Sequence, residues 1–369
     1  MTSFLPGKGM DAMQKMIRQF LYGRSDRCVG IDIGTEHIKA AEVSLTGAKP
    51  ELLRLGMLPL GDNVIRDEGL TDSQNLAELL HKLLAANGIK AREAGVALGG
   101  RSFFSREVTL PDMPLEELCE AIRWDIDQYV PYEADNFYYD CSVVAASDNQ
   151  QDMRVLLAAA PRRTVDSLVN LMKQAGLEPL AVDTEPLALY RTLEKADNCI
   201  VVDMGCEITQ VSIFSQGSPA VTRTIPYGGR RFTEAIMHCL GLDYREAERL
   251  KQRQKGLLHA IEYPVEGSEL HESLVDVVSE LARDVRRTAE YYQTQSRDAA
   301  VERVIITGGG AKLDNLAPHM AEQLDLPVFV QTTPQTLSFS PAIDKVHLDS
   351  LFPQYAIAIG LAMRGGDLR

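Results

Sequence analysis

Two short segments of this chain pair residue types that could bind a phosphate and a divalent cation. Ile31-Asp32-Ile33-Gly34-Thr35-Glu36-His37-Ile38-Lys39 recurs far downstream as Val202-Asp203-Met204-Gly205-Cys206-Glu207-Ile208-Thr209-Gln210. In each, an apolar run ends at Asp-x-Gly and a polar turn leads into a second strand-like run. A Gly-permissive turn lets backbone N–H groups surround a phosphate while the aspartate holds Mg²⁺, usually through water. Two copies suggest two facing hairpins that clamp a nucleotide. A single Asp-x-Gly is an ordinary hairpin turn. The duplication is what carries the signal.

The elements that must position these residues follow from periodicity. Strands are expected near 28–33, 37–45 and 51–58, then a helix over 73–86 with a stripe of Leu76, Leu79, Leu80, Leu83 and Leu84 stopped by Asn87-Gly88. Val96-Ala97-Leu98 reads as a buried strand. Residues 100–180 change texture into a β-α-β-β-α order, a small α+β unit set into a larger one. Strands near 199–204, 208–214 and 219–225 mirror the first three, which predicts an internal repeat. Helices are expected over 230–240, 243–255, 273–293, 313–323 and 354–364, with 256–272 as an irregular loop. Arg303–Thr307 reads as a strand and Gly308-Gly309-Gly310 as a turn.

A chain of 369 residues suits two lobes, and 45% hydrophobic content supplies sizeable cores. The net charge of −14 argues against nucleic acid as a partner. Residues 1–27 carry a net +3, so the rest carries −17. Within that segment, residues 10–22 space Met10, Met13, Met16, Ile17, Phe20 and Leu21 as a basic amphipathic helix. Such a helix suits peripheral contact with an anionic membrane, and equally packing on its own body or on a partner. The six cysteines show neither C-x-x-C nor metal-ligand spacing and read as reduced core residues. No apolar stretch approaches the ~20 residues that span a bilayer. With no secretory h-region either, a cytoplasmic protein is expected.

Five segments fall in one order: Asp32-x-Gly34-x-x-x-x-Lys39; Asp183-Thr184-Glu185-Pro186-Leu187-Ala188; Asp203-x-Gly205; Gly228-Gly229 with Glu248-x-x-Lys251; and Thr307-Gly308-Gly309-Gly310-Ala311. Together they resemble the actin-like ATPase superfamily, which implies an α/β, two-lobed (duplicated ribonuclease-H-like) fold. The insertion narrows the likeness to the FtsA and PilM branch. Trp124-x-x-x-Gln128-Tyr129-Val130-Pro131-Tyr132, Gly176-Leu177 leading to Val182-Asp183, and Tyr355-Ala356-x-Ala358-x-Gly360-Leu361-Ala362 resemble the PilM family of type IV pilus assembly. MshI-type pilus proteins share parts of the pattern. The implied domains are a basic segment 1–27, a first lobe 28–99 completed by about 345–369, an inserted subdomain 100–181, and a second lobe 182–344.

The resemblance implies ATP and Mg²⁺ as cofactors. Asp32 and Asp203 would hold the metal, with Gly34, Thr35, Lys39 and Gly205 around the phosphates. Gly228, Gly229, Glu248, Lys251, Gly308, Gly309 and Gly310 would surround the nucleoside. Glu185 would orient a water near the terminal phosphate, or serve as a helix-N-terminal acid before Pro186. Lys39 could instead be a solvated strand lysine, and Glu248–Lys251 an exposed ion pair. Glu207 departs from the superfamily's glycine-rich second turn. A carboxylate there would repel phosphate, so binding is expected with weak hydrolysis or none. The implied function is an ATP-binding scaffold of the pilus inner-membrane complex, peripherally attached through partners and gripping the N-terminal cytoplasmic peptide of PilN. Other complex components and self-association stay open. The alternatives are an FtsA-like filament-forming protein and a small-molecule kinase of the same superfamily.

Overall fold

An apolar run with an Asp-x-Gly stop builds the first hairpin. Strand β1 (Arg27–Ile33) runs antiparallel to β2 (His37–Ser44), and β2 pairs with β3 (Glu51–Pro59). The computed structural model describes residues 26–60, 65–66, 69–70, 73–100, 102–133, 136–146, 152–194, 198–215, 217–253, 257–258, 265–295 and 301–367. The segment 10–22 lies outside them. A ribbon of β4 (Ile65–Arg66) and β5 (Gly69–Leu70) precedes α1 (Ser73–Ala86) and β6 (Glu93–Leu98), which runs parallel to β1. Leu76, Leu80, Leu83 and Leu84 bury the predicted stripe of α1, and Gly88 at φ +62° ends it in the left-handed region that glycine tolerates.

The inserted β-α-β-β-α order comprises β7 (Phe104–Pro111), α2 (Leu115–Tyr129), β8 (Phe137–Ala146), β9 (Asp152–Pro161) and α3 (Arg162–Gln174). Its sheet is ordered β7-β9-β8. Leu118, Ile122 and Ile126 of α2 pack with Val108, Val155 and Leu157 as a small separate core. Helix α3 faces elsewhere. Its Val165, Leu168, Leu171 and Met172 join Val29, Ile31, Val96 and the leucines of α1, so it closes the core of the main sheet.

Strand β10 (Glu178–Thr184) pairs parallel with β6, and α4 (Glu185–Arg191) follows. The second lobe was expected from 182, but the chain divides into two compact units after Glu194 because β10 is hydrogen-bonded into the first sheet. Thr333–Asp349 and the chain from Tyr355 onward belong to the first unit, and Ser350–Gln354 to the second.

The second unit contains β11 (Asn198–Met204), β12 (Thr209–Ser215), β13 (Ser218–Ile225), α5 (Gly229–Leu240), α6 (Tyr244–Arg253) and α7 (Val265–Gln295). After them come β14 (Arg303–Thr307), a 3-10 turn over Gly310–Lys312, α8 (Leu316–Leu324) and β15 (Val328–Val330). Its sheet reads β15-β14-β11-β12-β13, the same order as β10-β6-β1-β2-β3, to which β16 (Ser338–Phe339) adds an edge. The predicted internal repeat is therefore topological as well as sequential.

Two helices are longer than their sequence signals. Helix α7 starts at Val265 rather than near 273, because buried Leu270 extends the Leu274, Val277, Val278 and Leu281 stripe by a turn. Helix α9 (Lys345–Asp367) starts well before 354 and runs through Pro353. A proline removes one ladder hydrogen bond. The carbonyl of Pro353 is itself used, accepting from the Gly308 N–H at 3.1 Å and the Thr307 hydroxyl at 3.2 Å.

Within the first unit, α9 meets the sheet at backbone distance. A Cβ on Gly30 would lie 2.6 Å from Ala362 N and closer still to Ala358 O, and one on Gly95 would lie 2.8 Å from Leu361 O. Gly360 likewise lets α9 touch the backbone of Ala188 in α4. The small residues of 356–362 are thus a packing motif, as close approach requires.

Candidate functional site

In the first unit the hairpin turn is closed by the Gly34 N–H donating to His37 O at 3.0 Å. Asp32 is buried at the strand end, in register with Lys39, whose Nζ lies 2.8 Å from Asp32 Oδ2. Lys39 is therefore an ion-paired lysine beside the aspartate, not a solvated strand residue. Thr35 is exposed at the turn. Glu185 opens α4, and its Oε2 accepts the Gly100 N–H at 3.3 Å. A Cβ on Gly99 would lie 2.9 Å from Glu185 Oε2 and nearer to Oε1, so Gly99 makes room for this carboxylate. Sequence reasoning missed Gly99, although the Gly99-Gly100 pair directly after a buried strand was its signal.

The second unit repeats the turn: the Gly205 N–H donates to Ile208 O at 3.0 Å. Here the glycines converge. The Gly229 and Arg230 N–H groups at the start of α5 donate to Gly205 O at 2.8 Å and Cys206 O at 2.9 Å, fixing the helix to the turn. A Cβ on Gly228 would lie 2.5 Å from Gly205 O. Gly308, at φ +80°, leaves no room for a Cβ beside Met204 O, 2.5 Å away, or the Asp203 carboxylate, nearer still. A Cβ on Gly229 would lie 3.9 Å from Gly310 Cα and 3.7 Å from Lys251 Nζ. Gly309 is exposed next to this group. The second unit thus brings Asp203, Gly205, Gly228, Gly229, Gly308, Gly310 and Lys251 into one cradle.

Glu248 and Lys251 sit one turn apart on α6 and pair at 2.7 Å. They are not a solvated pair. Lys251 Nζ also donates to Gly229 O at 2.9 Å and to Thr233 Oγ1 at 2.7 Å, and the Thr233 hydroxyl donates to Glu248 Oε2 at 2.6 Å. Thr233, one turn beyond Gly229 on α5, was not singled out from sequence. Burial pushes the Glu248 carboxyl up. The hydrogen bond and charge of Lys251, with bonds from Thr233 and Gln252, outweigh that and leave it below the ordinary carboxylate range. A carboxylate held low stabilises the fold above the ordinary range and loses that contribution as pH falls through its own lowered value. Glu248→Gln should therefore flatten the acid limb of the stability profile. Thermal midpoints from neutral pH down to about pH 3 test this, and an acid limb as steep as the wild type's refutes it.

Glu207 departs from its expected role. Its carboxylate lies 2.6 Å from Arg230 Nη2, and the Arg230 guanidinium also sits over the Tyr244 ring at 5.2 Å. The repulsion expected at the phosphates is offset by a neighbouring cation that the hairpin motif does not contain.

These residues fit a metal–nucleotide ligand. A Cβ at Gly308 would collide with the Asp203 carboxylate, and one at Gly228 with the Gly205 carbonyl of the same turn, so only glycine keeps the turn this close to the aspartate. Among the described residues no group of three or more His, Cys, Asp and Glu gathers as a cage. A cation here would be held by carboxylate, water and phosphate, the manner Mg²⁺ prefers.

Two sheets of identical strand order, each with an Asp-x-Gly hairpin at the same place, define the two-lobed actin-like class of fold. The chain matches the family described as type IV pilus assembly protein PilM over residues 30–366, and it belongs to that family. Among solved structures it is similar to the PilM–PilN type IV pilus biogenesis complex, with 26% identity, a TM-score of 0.79, and coverage of 93% of this chain and 99% of that one. Among curated relatives it is 24% identical to cell division protein FtsA of Pseudomonas aeruginosa over 378 residues, 91% of this chain and 88% of that protein. It is also 25% identical to cell shape-determining protein MreB of Escherichia coli K12 over 191 residues; that match spans 44% of this chain and only 55% of MreB. No helix among the described residues is long and apolar enough to cross a membrane.

Proposed function

We propose that this chain is a Mg²⁺-ATP-binding scaffold of type IV pilus assembly that holds the N-terminal cytoplasmic peptide of a PilN-like membrane protein. It would work at the cytoplasmic face of the inner membrane, attached through that partner and other components of the complex. The observation that carries this reading is the likeness, over nearly the whole chain, to the PilM–PilN complex. The two hairpins support nucleotide binding. Asp32 and Asp203 are the metal-directed carboxylates. Lys39 and the turn glycines face the phosphates, and the Gly228, Gly229, Gly310, Lys251 and Glu248 group receives the nucleoside. When bound, the metal–nucleotide supplies stability by mass action, as any ligand selective for the native state does. Glu185 is the carboxylate placed to orient water.

The inserted subdomain is the proposed peptide dock. Its α2 carries Trp124, 85% exposed and the only tryptophan in the chain. Trp and Tyr anchors dominate protein–protein affinity, and a Trp this exposed gains most from being covered. An extended peptide could add main-chain bonds at the sheet edge and seat side chains beside α2.

A titration of the PilN-like N-terminal peptide, followed by Trp124 emission, tests the assignment. Binding should shift the emission, and Trp124→Ala should weaken capture by tenfold or more, about 1.4 kcal/mol, with the thermal midpoint unchanged. Equal capture by both proteins would sink the placement on α2; no capture by either would sink the function. The FtsA likeness favours a second reading, a filament-forming protein, for which electron microscopy with ATP should show long ordered polymers.

A further inference from the structure

Helix α6 divides its charged residues between two tasks. Glu248 and Lys251 turn inward, bonded to Thr233 and Gly229. Arg245, Arg249 and Arg253 recur at every fourth residue, so they stand in one row along the helix, about 12 Å from first to last. All three are exposed. Among the described residues, none of the three has a hydrogen-bond or ion-pair partner. The carboxylates of their own helix are already taken. Glu248 pairs with Lys251 at 2.7 Å. Asp243 and Glu246 close a capping box at the start of α6: the Asp243 N–H donates to Glu246 Oε2 at 3.2 Å, and the Glu246 N–H donates to Asp243 Oδ1 at 2.8 Å.

Beside the row lies an open cleft of about 520 Å³, lined by Leu242, Glu246, Arg249, Leu250 and Arg253. Leu242 and Leu250 are half-buried, packed on one side against the core of the second unit and bordering the cleft on the other. The result is an apolar floor flanked by unanswered guanidinium groups, on a chain whose net charge is −14. Like charges four residues apart repel along a helix, so the fold by itself gains nothing from this row.

Charge complementarity selects the occupant. A guanidinium grips a carboxylate through two parallel hydrogen bonds, and three in a row select carboxylates at the same repeat. We propose that this face of α6 docks an acidic, leucine-bearing helical segment of a partner protein. Carboxylates at four-residue intervals on that segment match the arginine row, and an apolar residue beside them covers Leu242 and Leu250, as in helix-in-groove recognition. The chain's own residues 1–27, at net +3, carry the wrong charge for this face. An anionic membrane or a nucleic acid would bring an extended negative surface up to a net acidic body. A short segment meets only the local field of the row. Nothing in this dock depends on bound nucleotide or on α2.

The test titrates the full chain with a synthetic helical peptide whose glutamates recur every fourth residue beside leucines, and with the same peptide carrying glutamine for glutamate. The acidic peptide should bind about tenfold or more tightly than the glutamine peptide. Its affinity should fall between about 0.1 and 1 M salt, where the screening length drops from about 10 to 3 Å. The triple variant Arg245→Gln/Arg249→Gln/Arg253→Gln should lose that preference while its thermal midpoint and ATP affinity stay at the wild-type values. A wild type that does not prefer the acidic peptide overturns the proposal, and so does a triple variant that keeps the preference. A lower midpoint in the triple variant would make the row structural and overturn it too. Sedimentation of the chain with phosphatidylglycerol vesicles, and of the chain alone, separates the other occupants. Vesicle binding that the triple variant loses would give the face to a lipid surface, and self-association that it loses would give it to a second copy; either overturns the partner assignment. A wild-type chain that binds no ATP sinks the nucleotide reading alone.

Discussion

Gly30→Ala should destabilise the first unit severely despite adding one methyl group. The new Cβ would meet Ala362 N at 2.6 Å and Leu361 Cβ at 2.8 Å, and would press harder still on Ala358 O. Two of these three are backbone atoms of α9, so no side-chain rotation relieves them. Overpacking a core by a methylene costs about 1–3 kcal/mol when side chains can adjust. Here a whole helix must lift, and the loss should reach or exceed the upper figure. For a unit of this size that is a fall of roughly 6–12 °C in thermal midpoint. Because Asp32 lies two residues along the same strand, nucleotide affinity should fall too. A midpoint within about 1 °C of wild type would show that α9 does not rest on β1 at this distance. Gly47→Ala is the control, since a Cβ there meets nothing nearer than Lys49 O at 3.2 Å.

Asp183→Leu should be comparably damaging for an electrostatic reason. Asp183 is fully buried near the end of β10, with Arg191 Nη1 at 2.7 Å and Arg364 Nε at 3.8 Å from its Oδ2. Its Oδ1 also accepts the Thr184 N–H at 2.8 Å. Arg364 is completely enclosed. Removing one partner of a buried ion pair costs about 3–5 kcal/mol, because the charge left behind remains desolvated. Arg191 still faces the missing carboxylate, but replacing Arg364 as well removes the other enclosed cation and should recover part of that loss. The double variant Asp183→Leu/Arg364→Leu is therefore expected to be more stable than Asp183→Leu alone. Thermal or urea unfolding of both singles and the double closes the cycle. Additive losses would mean that Asp183 and Arg364 act independently. The cluster joins β10, α4 and α9, the elements that carry Glu185 and the close glycine contacts.

Most of the secondary structure was legible because its signals are local. Asp-x-Gly ends β1 and β11, Asn87-Gly88 ends α1, and leucine spacing marks its buried face. The two long helices were read short, for reasons that local rules cannot supply. Pro353 looks like a stop, but the helix runs through it, and the proline's own carbonyl is tied to Gly308 and Thr307, residues distant in sequence. Leu270 is one apolar residue among polar neighbours, and only its burial shows that α7 has already begun. Helix α3 sits within the inserted segment by order, yet its apolar face belongs to the core of the main sheet.

The duplicated hairpins, their aspartates and glycines, and the actin-like order of motifs were set by residue type and spacing alone, because turn geometry and strand register act over a few residues. What each charge does was decided only in three dimensions. Lys39 neutralises Asp32, Arg230 answers Glu207, and Thr233 joins Glu248 to Lys251. Electrostatic roles depend on distance and desolvation, and most of these partners reach one another from different strands and helices. Spacing along the chain can nominate a charged residue, but its partner is chosen by packing.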